Sequence, residues 1–201
     1  MAMIFELVIN AGPNRTSAER VAECLSGVPR LHAGRYRVSL IPPQNRAVRG
    51  EDGAVYHEVT VMAAGVGHAR TSDVDRELPL DVEELSELAQ GLYEVLRRCR
   101  GYRAAVVGWN PEYLVDTAEL ARDWVEELRA GTCHGLVLAD ETLEQLVPSA
   151  RLEPFAPGFS WIPYRYHRWG APAVADRRRS TASAVGGEVS PGRAERHKRM
   201  S

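Results

Sequence analysis

The chain has 201 residues, 44% hydrophobic and 26% charged, with a formal net charge of −2, the size and composition of one globular domain with its own core. Cys24, Cys99 and Cys133 are widely spaced with no CxxC pair, which argues against a disulfide scaffold and against a cysteine-held zinc site. No run approaches the roughly 18 apolar residues of a membrane span, and residues 1–9 lack the basic and long apolar regions of a signal peptide, so a soluble, cytoplasmic protein is expected.

Charge is unevenly spread. Residues 176–201 carry seven Arg or Lys against three Asp or Glu, an excess of four positive charges, which leaves residues 1–175 at −6. An acidic body disfavours nucleic acid as the main partner.

In chain order, residues 3–9 form a short apolar run, expected as a buried strand. After a loop at 10–15, Thr16 with Glu19 reads as a capping box opening a helix whose apolar face is Val21, Ala22 and Leu25, ended by Gly27. Residues 35–41 alternate, with Tyr36, Val38 and Leu40 on one face, as a half-buried strand does. Pro42 and Pro43 stop it, and the polar stretch 44–53 reads as an exposed loop. Residues 55–63 form the next strand, expected to pair antiparallel with 35–41, and 65–75 a second long loop.

Asp81 and Glu84 cap the best helix of the chain. Val82, Leu85, Leu88, Ala89, Leu92, Val95, Leu96 and Cys99 recur at three- to four-residue spacing, and Gly101 ends it. Residues 104–108 read as a buried strand. Asp116 caps a helix with Leu120, Trp124, Val125 and Leu128 on its face, closed by Gly131. A short strand at 135–138 and a last helix capped by Asp140 follow. The order β-α-β-β-α-β-α-β-α implies an α/β (α+β) fold: a mixed sheet with helices packed on it. The aromatic, proline-rich stretch 155–169 is too apolar for a free tail and is expected to wrap back as an extended segment. The domain therefore spans 1–175, and 176–201 has the composition of a disordered basic tail.

No P-loop, GxGxxG, GxSxG or HExxH motif is present. The glycines at 65 and 67 before His68 lack the third glycine and the immediate helix of a phosphate cradle. His32, His57, His68, His134, His167 and His197 include no i,i+4 pair, so neither a metal nor another cofactor is indicated. Cys24 and Cys99 fall on or beside apolar helix faces and read as buried small hydrophobes; Cys133 is the loop-adjacent thiol. Asp81, Asp116 and Asp140 are accounted for by capping.

Three features suit partner binding. Trp109 and Asn110 follow a buried strand at its tip, where a core-closing Trp is the competing reading. Trp161, Tyr164 and Trp169 with Arg165 and Arg168 have the make-up of an interface anchor, or else of a clamp over the sheet. Glu83, Glu84, Glu87 and Glu94, with Asp123, Glu126 and Glu127, make acidic helix faces, usually plain solvated surface but also suited to a basic partner.

The helix at 17–25 (Ser-Ala-Glu-Arg-Val-Ala-Glu-Cys-Leu), the strand ending at Gly65, the Leu78-Pro79-Leu80 run into a long helix, Gly108-Trp109 and Gly135-Leu136-Val137-Leu138 together resemble the immunity protein 52 family of bacterial polymorphic toxin systems, over roughly residues 3–147. The resemblance implies a non-enzymatic cytoplasmic inhibitor that binds a cognate toxin protein. The rival expectation is a small enzyme with a pocket between Trp109 and the 155–169 segment, using His68, His134 or Cys133. A third is a regulatory subunit whose tail binds a partner.

Overall fold

A computed structural model describes residues 3–28, 30–69, 77–148 and 150–165. Its centre is β1 (Ile4–Asn10), whose apolar run lies between β5 (Val55–Gly67) and β6 (Ala104–Trp109). With β4 (Gln44–Arg49), β7 (Val137–Ala139), β8 (Glu153–Ala156) and β9 (Phe159–Trp161), these strands form one seven-stranded sheet in the order β4-β5-β1-β6-β7-β9-β8. Its pairings are all antiparallel, where the sequence reading expected a mixed sheet. The α+β class with helices packed on the sheet stands.

The hairpin differs from expectation. β3 (Tyr36–Ser39) pairs with β2 (Arg30–Ala33) in a separate two-stranded sheet, and the residues after it are joined to β5 by the Leu40–Ala63 bridge and the Ile41 N to Met62 O hydrogen bond at 2.9 Å. The partner of β5 is β4, within the stretch read as a loop. β4 is an edge strand, so one hydrogen-bonded neighbour suffices and its side chains stay mostly exposed, which removes the apolar alternation that marks strands. β5 also runs on to Gly67.

The two faces of the sheet follow from strand alternation. Phe5, Leu7 and Ile9 share one core with Val59, Val61, Val107 and Val137, and with α1 (Arg15–Ser26) through Ala18, Val21 and Leu25 and α2 (Val82–Leu96) through Leu85, Leu88, Leu92 and Leu96. Val8 is fully buried outside that core, and Asn10 on its side donates to the Val115 carbonyl at 2.8 Å. The opposite face is thus covered by the 3-10 turn at Glu112–Leu114, α3 (Thr117–Asp123), α4 (Val125–Ala130) and α5 (Asp140–Leu146), which contribute Leu114, Leu120, Leu128 and Leu143.

Caps set the helix limits. The Asp81–Glu84 box forms as expected. α1 instead takes Asn14 as its cap, with Oδ1 accepting from Thr16 N at 2.9 Å, while Glu19 pairs with Arg15. The cap lies two residues earlier, since Asn caps as well as Thr. Asp116 caps α3, but the helix expected through to Gly131 breaks at Trp124 into α3 and α4. Gly131 closes α4 at φ 66. Asp140 is the first residue of α5 rather than its cap, and its carboxylate accepts from Ser160 Oγ at 2.7 Å.

Cys24 and Cys99, expected as separate buried thiols, form a disulfide between α1 and the residues after α2, with Cα atoms 5.9 Å apart. The segment from 155 folds back as the β8–β9 hairpin on β7, as its composition demanded. Trp169 and the basic tail lie outside the described residues.

Candidate functional site

The polar feature built into this fold is the half-open side of the sheet. Antiparallel register puts directly opposed residues on the same face. Asn10, Glu58 and Arg46 stand in one row, Val8, Thr60 and Gln44 in the next, Glu6 and Met62 in a third. The helices of the second layer cover β6 and β7, so at β1, β5 and β4 this face carries carboxylates where the other carries valines.

Glu58 is 1% exposed and bound by Arg46, with Nε at 2.7 Å and a terminal nitrogen at 2.6 Å from Oε1. Burial raises its pKa in spite of the guanidinium. Glu6 is half-buried and its carboxyl is pushed up to about 7, first by burial and then by Glu112 and Glu58, with Arg46 the one opposing charge. Glu112 Oε2 is sealed from solvent with no hydrogen-bond partner among the described residues. Tyr56 is held protonated by burial and by the neighbouring Glu58 and Asp116. Asp116 and Glu119, each 8% exposed, extend the acidic character into α3. Here three carboxylates share one arginine, so the face carries negative potential and a proton at Glu6 near neutral pH.

Sequence reasoning passed over Glu6, Arg46, Glu58, Tyr56 and Glu112. The signal was there in part: Tyr56, Glu58, Thr60 and Met62 alternate with Val59, Val61 and Ala63, and Glu6 interrupts an apolar run. Nothing local says that Glu112 reaches the same place.

Trp109 packs edge-to-face on Phe5 at 5.3 Å between ring centroids and closes the end of the core. Asn110 adopts φ 45, and its Oδ1 accepts from Ile4 N at 2.7 Å, a turn that ties β6 to the start of β1. Trp161 is 9% exposed and packs on Tyr93 and Phe155 with the Arg97 guanidinium 5.4 Å from its ring. Tyr164 leans on Tyr93 and Arg165 is exposed. Through Val137, Trp161 stands level with Ala105, four residues along β6 from Trp109, about 13 Å at strand rise. The structure therefore does not bring Trp109 and Trp161 together.

On α2, Glu87 accepts from Gly34 N at 2.5 Å and Glu94 pairs with Arg97 at 3.2 Å, while Glu83 is exposed. Asp123 and Glu126 pair with Arg122 and Arg129. The acidic helix faces are thus partly spent on internal contacts. His68 is exposed and its Nδ1 accepts from Met3 N at 3.1 Å. Cys133 is 2% exposed, and burial followed by Glu127 pushes its thiol up to about 12, so at neutral pH it is not a thiolate nucleophile. Among the described residues, no group of three or more His, Cys, Asp or Glu is placed to hold a metal, and no helix is long and apolar enough to cross a membrane. The chain matches no family model, no curated protein and no solved structure in the comparisons made with each.

Proposed function

We propose that the chain is a non-enzymatic binding protein of the immunity type, which neutralises a cognate toxin by masking a basic surface with the acid-rich sheet face. The observation that carries this reading is the cluster of Glu6, Glu58 and Glu112 about Arg46, next to Asp116 and Glu119. A basic surface docking there relieves carboxylate repulsion and gains steering. The resemblance to immunity proteins over residues 3–147 points the same way.

The test is co-expression with a candidate toxin and pull-down at low and high salt. Glu112→Lys with Glu6→Lys is expected to weaken capture and growth rescue, while Glu83→Lys on α2 leaves both intact. Rescue that survives the double reversal overturns the proposed face. The reading puts the protein in the cytoplasm of the producing cell, whereas a disulfide such as Cys24–Cys99 is rare there and persists in oxidising compartments. Alkylation of thiols in intact cells distinguishes the two: a reduced pair supports cytoplasmic action, and an oxidised pair moves the site of neutralisation outside it.

A further inference from the structure

A cleft of about 210 Å3 lies between the β4–β5 turn, the start of α3, α5 and the start of β6, lined among others by Asp52, Arg103, Thr117, Thr142 and Gln145. Its walls are anchored. Asp116 accepts from Glu51 N and Ala118 N, both at 2.9 Å, joining the turn to α3, and Arg122 pairs with Glu51 at 2.8 Å. The backbone of Arg103 is tied on both sides, its N–H to Asn10 O at 2.8 Å and its carbonyl to Ala139 N at 2.9 Å. Its side chain lies over Gly12, where an added Cβ would come within 3.0 Å of Nε, at a φ of +74 that also favours glycine.

Within the β4–β5 turn, Asp52 Oδ1 accepts from Ala54 N at 2.9 Å. Among the described residues, the Arg103 guanidinium has no hydrogen-bond or ion-pair partner, although Asp52 lines the same space. Thr142, 7% exposed as a residue, also lines the cleft. A plain anion would meet Arg103 but also Asp52 and, across Gly50, Asp116, whose carboxylates both stand within 3.3 Å of the same Cβ position. A plain cation would meet Arg103. A ligand carrying both charges satisfies both walls.

We propose that this cleft binds a small zwitterion of amino-acid size, with its carboxylate on Arg103 and its ammonium on Asp52, and with Thr142 and Gln145 completing its hydrogen bonds. The inference is independent of the toxin-binding reading. The volume equals the liquid share of about seven waters, room for a single amino acid and too little for a drug-sized ligand. Arg supplies the planar two-point contact that a carboxylate prefers.

The experiment is calorimetric titration of the full chain with the twenty L-amino acids one at a time, and with propionate and propylamine as probes of single charge. At least one amino acid is expected to saturate with Kd at or below about 1 mM. Arg103→Gln, Asp52→Asn and Thr142→Val are each expected to weaken it about tenfold, with circular dichroism unchanged because the first two residues are exposed and the third swap is close to isosteric. Three results would each overturn the proposal: no saturation by any amino acid up to about 10 mM, propionate binding as tightly as the best amino acid, or binding indifferent to all three variants.

Discussion

Glu6→Gln is expected to stabilise the protein above neutral pH and to flatten its pH dependence. Glu6 titrates near 4.5 when unfolded and near 7 in the fold, because burial and then Glu112 and Glu58 disfavour its charge. The folded state therefore holds the proton more tightly. Its contribution is fully present below about pH 4.5 and is lost as pH rises through about 7. A shift from 4.5 to about 7 is worth at most about 3.4 kcal/mol, and the partial exposure of Glu6 reduces this to about 1–2 kcal/mol. Glutamine keeps the shape and removes the charge. Urea denaturation of both proteins at intervals from pH 5 to 8.5 measures the difference. The variant should match the parent at pH 5 and exceed it by about 1–2 kcal/mol at pH 8.5. Parallel stability profiles across that range would refute the reasoning, since Glu6 would then be carrying its charge at no cost.

Cys24→Ser is expected to lower stability by about 2–4 kcal/mol under oxidising conditions and much less under reductant, because the bond closes a loop with a sequence separation of 75; urea melts with and without dithiothreitol measure it. Tyr93→Phe removes a buried hydroxyl that donates to Gly135 O at 2.7 Å and accepts from Val107 N at 3.1 Å, so a loss of about 1–3 kcal/mol is expected in the same assay. Gly135→Ala should be worse, since the residue sits at φ +87 and a Cβ there would come 2.5 Å from Tyr93 Oη; loss of soluble expression or a large drop in melting temperature is the expected outcome. Asp81→Ala removes the carboxylate that accepts from Glu83 N and Glu84 N at the start of α2, leaving the backbone N–H that donates to Glu84, and should cost about 1 kcal/mol by thermal melt.

What the amino-acid sequence determined by itself is local. The stripe of Leu85, Leu88, Leu92 and Leu96 and the Asp81–Glu84 box define α2 because both signals lie within a turn or two of the residues they organise. The apolar runs of β1 and β6 declare buried strands, and the aromatic run from Phe155 cannot stay in water. Which strand lies beside which is another matter. Gln44–Arg49 joins the sheet although its own pattern is polar, because an edge strand needs backbone partners and little else. The Cys24–Cys99 bond depends on α1 and α2 lying side by side on one face of the sheet. Glu6, Glu58 and Glu112 come from β1, β5 and the turn after β6, and each looks ordinary in its own segment. Only the antiparallel register and the fold-back of residues 112–114 over that face bring them to one arginine, since charges from distant segments act on each other through space and not along the chain.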